Sequence, residues 1–226
     1  MESNKFGMRV LAPGRDAKVD IVFIHSIEGD WQNTWVHAKT QICWPRAFLP
    51  EDIPNARILS YGYCVEPTHS FDQQAENLYQ TLGETASDRK LLFVAHELGA
   101  LLTMQALLLS QESSDPLCCL MVENSVGFLF LGMSRKHHFA DLLEGLDSLK
   151  RKQLHESFVE VLQADSKKRE DIWGIFEDRI VGRGRDTSVM YIEERKPADG
   201  VIVCFLQGLF RLLETLIYWL HSLRAL

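Results

Sequence analysis

The stretch Leu91-Leu92-Phe93-Val94-Ala95-His96-Glu97-Leu98-Gly99-Ala100 constrains this chain more than any other. A short apolar run enters a small-residue turn, and the apolar segment Leu98–Leu109 leaves it, which is the strand–turn–helix context of a nucleophile elbow. The chain reverses so sharply at such a turn that small residues must flank its tip. Ala95 and Gly99 supply them. The tip of a working elbow is Ser, Cys or Asp, and here it is Glu97. The motif therefore specifies a fold and withholds the group that usually does its chemistry.

Other segments agree with that fold. Val19–Ile24, Arg57–Tyr61, Leu91–Ala95 and Gly127–Leu131 are short, continuous apolar runs, the pattern of parallel strands covered on both faces. Helical periods alternate with them. Ser70 and Gln73 form a capping box for a helix carrying Phe71, Ala75, Leu78 and Leu82. Phe139, Leu142, Leu143, Leu146 and Leu149 predict a further amphipathic helix. The alternation predicts a doubly wound, mostly parallel sheet with Leu91–Ala95 as its central strand. Trp44-Pro45, Pro50 and Pro54 predict a broken connecting loop, and the charged segment 165–185 ends in the glycine-rich turn Gly182-Arg183-Gly184-Arg185.

At 226 residues the chain suits one such domain, expected over residues 1–203, followed by an apolar amphipathic helix over 204–226. Leu206, Leu209, Phe210, Leu213, Leu216, Ile217, Leu220 and Leu223 recur at helical spacing, while Arg211 and Glu214 interrupt the run, which predicts packing rather than membrane spanning. Peripheral contact with a membrane is the alternative use of that stripe. The net charge of −7 argues against nucleic acid as a partner. The basic clusters Lys150-Arg151-Lys152 and Lys167-Lys168-Arg169 read as solvated faces. Five cysteines without regular spacing (Cys43, Cys64, Cys118, Cys119, Cys204) and a polar start predict reduced thiols in an intracellular, cytoplasmic setting.

The candidate site lies where loops leave the carboxyl ends of the strands. His25-Ser26-Ile27-Glu28-Gly29 follows the first apolar run, Glu97 follows the third, and Gly132-Met133-Ser134-Arg135 follows the fourth. By position, the amides of Leu98 and of Ser26 or Ile27 are the oxyanion donors. Alternative chemistries fail on spacing. His96-Glu97-Leu98-Gly99-Ala100 lacks the second histidine of a zinc-protease helix, and Cys118-Cys119 and His137-His138 lack ligand spacing, so no metal is expected. Gly182-x-Gly184 lacks the third glycine and preceding strand of a dinucleotide fingerprint, and no cofactor is expected. Ser134 with His137 or His138 lacks an elbow and an orienting acid.

Several blocks resemble one family. Val19–His25, Thr34-Trp35, Trp44-Pro45-Arg46, Leu49-Pro50, Pro54–Tyr63, Phe93–His96 and Gly127–Gly132 are similar to the α/β-hydrolase domains of the serine-esterase, serine-active-site type. Such modules also begin many fungal NACHT or ankyrin signalling proteins. The resemblance runs from about residue 18 to 135 and resumes weakly over 190–203. It implies an α/β-hydrolase-like fold, here lacking part of the C-terminal portion, and an association with mitochondria or endoplasmic reticulum as a second localisation. The departures fall on the chemistry. The family's His-Gly-Leu-Gly-Gly loop carries Ser26 and Glu28 in place of two glycines, and its Thr-Pro-His-Arg-Gly block is Met133-Ser134-Arg135-Lys136-His137. Its triad acid and Asp-His block have no match beyond Val203, where only His221 lies. The resemblance with these losses implies a degenerate, non-catalytic domain that binds a protein partner or a small acyl or lipid ligand. An esterase of lipid or acyl esters with an altered site or an incomplete gene model is the alternative.

Overall fold

A computed structural model of the chain describes residues 6–85, 89–133, 138–182 and 187–192. One six-stranded sheet organises them, in the order β1-β3-β2-β4-β5-β6. Its strands are β1 (Gly7–Ala12), β2 (Val19–Ile24), β3 (Ala56–Gly62), β4 (Lys90–His96), β5 (Ser125–Leu131) and β6 (Ser188–Ile192). All neighbouring pairs are parallel except β1 with β3. The four apolar runs became β2 to β5, and β4 sits between β2 and β5 inside the sheet. The antiparallel edge strand β1 and the edge strand β6 were not expected from the sequence; their exposed and half-buried residues blur the apolar signal.

The doubly wound arrangement follows from side-chain alternation. In β4, Leu91, Phe93 and Ala95 face one core, while Leu92 and Val94 face the other. The larger core lies under α2 (Phe71–Thr85), α3 (Leu98–Glu112), α4 (Pro116–Asn124), α7 (Glu156–Leu162) and α8 (Lys167–Phe176). Phe93 stacks on Phe128 at 5.5 Å and Phe176 meets Phe128 edge-on at 5.1 Å, joining α8 to the sheet. The second core holds Phe23 against Trp35 and Trp44, at 5.0 and 5.3 Å. The capping box forms as expected: Ser70 N–H donates to Gln73 Oε1 and Gln73 N–H to Ser70 Oγ, at 2.8 and 3.2 Å.

Three expectations need correction. Trp44–Asp52 is a helix, α1, rather than a broken loop. Pro45 falls in its first turn, where the missing N–H has no intrahelical partner to lose. The predicted helix over Phe139–Leu149 is two helices, α5 (His138–Gly145) and α6 (Ser148–Lys152), because Asp147 caps the second through the amides of Leu149 and Lys150. Leu149 is consequently exposed. Arg169 is no part of a solvated face. It is buried and donates to the carbonyls of Val161, Gln163 and Ala164, locking the α7–α8 turn. Lys150, in contrast, is exposed and pairs with Glu28 at 3.0 Å. Segment 165–185 therefore contributes a core helix, with Ile172, Trp173 and Phe176 buried. The turn 183–186 and the 203/204 domain boundary with its C-terminal helix lie outside the described residues.

Candidate active site

Glu97 occupies the turn between β4 and α3, with φ 46° and ψ −112°. This is the mirror image of an ordinary extended conformation, so only glycine adopts it without strain. The turn is forced by tight packing on both sides. Any Cβ on Gly99 would lie 2.3 Å from the carbonyl oxygen of His25 and 2.7 Å from that of Ile24. Helix α3 thus starts directly against the backbone of β2, and only glycine fits there. Glu97 N–H donates to the Leu131 carbonyl at 2.8 Å, tying the tip to the end of β5. Gly132, at φ +68°, lies so close that a Cβ would sit 2.8 Å from Glu97 Cγ.

Because β3, β2, β4 and β5 run parallel and adjacent, their carboxyl ends deliver Tyr63, His25-Ser26, Glu97 and Gly132 to one edge. Ser26 Oγ donates to Glu97 Oε2 at 2.6 Å, and both residues are buried. A hydroxyl bound this closely to a carboxylate is a charge-assisted pair. His96 Nε2 stands 3.9 Å from Glu97 Oε1, beyond hydrogen-bond reach.

His25 is buried and stacks on the ring of Tyr63 at 4.4 Å. Its Nδ1 faces the Ser26 carbonyl at 2.7 Å and its Nε2 accepts from Tyr63 N–H at 3.3 Å. An acceptor opposite one nitrogen and a donor opposite the other assign the neutral, Nδ1-protonated tautomer. Burial lowers its pKa to about 4, against the opposing pulls of the Ser26 carbonyl and Asp30. With both ring nitrogens committed, His25 is a structural tie rather than a base. Burial, and then the Glu97 charge, push the Tyr63 phenol well above its ordinary range.

The structure thus brings together Ser26, Ile27, Glu97 and Leu98, all buried, with Leu98 opening α3. It adds Tyr63, which sequence reading did not single out, and His96, which that reading weighed only as a zinc ligand. Tyr63 sits at the first loop position beyond β3, and that placement was the available signal. Ser134, His137, the side chain of His138 and the region beyond Val203 lie outside the described residues. Among the described residues, no group of three His, Cys, Asp or Glu side chains could hold a metal, and no helix is long and apolar enough to cross a membrane. Cys43, Cys64, Cys118 and Cys119 carry free thiols.

No protein-family model matches the chain. Among curated proteins it is similar to Protein SERAC1 of Mus musculus, 26% identical over 63% of this chain and 26% of that protein. It is also similar to Protein SERAC1 of Danio rerio, 25% identical over 84% of this chain and 33% of that protein. The chain therefore spans about a quarter to a third of the curated relatives it matches. Among solved structures it is similar to the mature lipase BlEst2 of Bacillus licheniformis, with TM-score 0.55 and 15% identity over 92% of this chain and 80% of that one. A hyperthermophilic esterase from the archaeon Pyrobaculum calidifontis superposes with TM-score 0.51 and 10% identity, covering 98% of this chain and 86% of that one. These likenesses, with the parallel sheet and the strained turn after β4, establish an α/β-hydrolase-like fold with a glutamate at its elbow.

Proposed function

We propose that this chain is a catalytically silent α/β-hydrolase-like domain that works as a binding or signalling module. One observation carries the reading: the tip of the elbow is Glu97, and the loop that would face an oxyanion gives its Ser26 hydroxyl to that carboxylate at 2.6 Å. A fixed negative charge beside the amides of Ser26, Ile27 and Leu98 opposes the charge that develops on an ester oxygen during acyl transfer. A glutamate can itself attack an ester, yet releasing the acyl group then requires a base that activates water. His25 is committed at both nitrogens, and His96 is out of hydrogen-bond reach of the carboxylate. The ligand class offered by the family resemblance is a protein partner or a small acyl or lipid molecule, and peripheral membrane contact belongs to the tail beyond residue 203.

The test is hydrolysis of short p-nitrophenyl esters by the purified full chain. The reading predicts turnover equal to the buffer blank for the wild type. Glu97→Ser stays near background as well, because catalytic groups act as a unit and the nucleophile alone restores little. Clear wild-type turnover that disappears in Glu97→Gln would establish a carboxylate nucleophile and the esterase alternative.

A further inference from the structure

We propose that the apolar stripe from Leu206 to Leu223 docks on the open half of the sheet's second face, over β5 and β6, and closes the smaller core.

The two faces of the sheet are covered unequally. Helices α2, α3, α4, α7 and α8 close the larger core. Among the described residues, the buried side chains that close the second core from outside the sheet are Trp35, Trp44, Leu49 and Ile53, all from the segment around α1. Helix α1 packs chiefly on β3 and β1, and the strand order puts that pair at the opposite edge from β5 and β6. Burial records the difference. On this face Ile21 and Phe23 of β2 and Ile58 of β3 are fully buried, whereas Leu131 of β5 and Met190 and Ile192 of β6 are half-buried. These residues form one patch, because Leu131 pairs with Ile192 and the buried Leu129 with Met190 in the β5–β6 ladder. Parallel strands are ordinarily covered on both faces, so the patch calls for a cover.

The size and position of the strip select the occupant. Two strands side by side are about 10 Å wide, the diameter of one helix. A helix from Leu206 to Leu223 rises about 26 Å, and the seven residues of β5 span about 23 Å. The strip begins where β6 ends, at Ile192, and the linker 193–205 reaches up to about 43 Å when extended, so the stripe can lie along either direction of the strands. At helical spacing the apolar positions share one side, while Gln207, Arg211, Glu214 and Ser222 share the other. Arg211 and Glu214 balance each other, so that side lacks the excess of Lys and Arg by which interfacial helices hold a membrane. A second copy is the wrong size, since a strip of about 230 Å² falls far below the roughly 800 Å² per partner of a stable interface. The stripe is then part of the fold, and a membrane or partner gains it only by displacing it from β5 and β6.

Met190 lies on the strip and reports its cover, because a thioether oxidises faster once exposed. Hydrogen peroxide is applied to the full chain and to Leu213→Glu/Leu216→Glu, and sulfoxide at each methionine is read by peptide mass. The expected result is several-fold faster oxidation of Met190 in the variant. Met8, half-buried at the opposite edge, should be unchanged, and the fully buried Met104 and Met121 should stay protected in both chains. Oxidation of Met104 marks a variant that has unfolded; Leu213→Ala/Leu216→Ala, which trims the stripe without adding charge, then takes its place with a smaller rise expected. An equal Met190 rate in the wild type and a folded variant would overturn the docking. Sedimentation of the wild type with phosphatidylcholine–phosphatidylserine vesicles, lost in that variant, would then assign the stripe to a membrane. A rise that accompanies dissociation of a wild-type dimer would overturn the docking as well, because the cover then comes from a second copy.

Discussion

The two ends of the same parallel sheet treat a buried carboxylate in opposite ways. At the amino end, Asp20 of β2 accepts Nε and Nη2 of Arg57, at 2.9 and 2.6 Å, and Nε of Arg89 at 2.9 Å. Its backbone is ordinary strand, and two guanidiniums balance its charge. At the carboxyl end, Glu97 sits in a strained turn, holds a neutral hydroxyl, and has the unpartnered Tyr63 hydroxyl and His96 Nε2 beside it. A satisfied polar cluster joins β2, β3 and the segment before β4 and serves stability. A strained cluster with unsatisfied neighbours costs stability and persists only where the surroundings enforce it. The contrast separates scaffold from site without reference to any relative.

Substitutions at the two ends should therefore have opposite signs. The largest effect is expected for Asp20→Ala, which removes the buried carboxylate that two guanidiniums share and should destabilise the domain by about 3 kcal/mol in denaturant melts, the lower part of the range for breaking a buried pair because both arginines are partly exposed and Arg57 also donates to the Thr85 carbonyl. A loss below about 0.5 kcal/mol, typical of a surface pair, would remove the contrast.

Acidification comes next. His25 titrates near 6.5 when unfolded and at about 4 when folded, so the unfolded state binds the extra proton between those values. Stability is then flat with respect to this group above pH 6.5, falls as pH drops, and has lost roughly 3 kcal/mol by pH 4, less any relief from local opening. His25→Asn should flatten that slope in pH-dependent melts; an unchanged slope would place its cause elsewhere.

At the site end the sign reverses. Glu97→Gly relieves the backbone strain at φ 46° and gives up the Ser26 bond, for a net gain of roughly 1 kcal/mol, whereas a loss would mean that the turn is unstrained. Tyr63→Phe removes a buried unpaired hydroxyl and keeps the stacked ring, and should stabilise by up to about 1 kcal/mol. A clear loss there would show that the hydroxyl is satisfied after all.

What was legible in the sequence follows the range of the interactions that encode it. Strands β2 to β5 were readable because burial on both faces leaves no polar alternation to interrupt them, and the Ser70–Gln73 capping box is local. The elbow was readable because Gly99 and Ala95 answer a steric demand within a few residues. Long-range features were not. Strand β1 takes its register from β3, some fifty positions away, and the burial of Arg169 depends on three carbonyls of the preceding turn. The prolines of α1 read as breakers because their tolerance depends on position within the helix. In the site, Glu97 and Ser26 were visible as departures from a pattern. Their direct hydrogen bond, and the partnership of His25 with Tyr63, exist only because neighbouring strands end at one edge.

The central claim, that this elbow holds no working nucleophile, is tested most directly by intact-mass analysis after incubation with an alkyl fluorophosphonate, which labels activated serines irreversibly. The account predicts an unchanged mass for the full chain, with Ser26 unlabelled because its hydroxyl is donated to Glu97 in a buried pair. A stoichiometric adduct on Ser26, or on any other serine and dependent on Glu97, would contradict it.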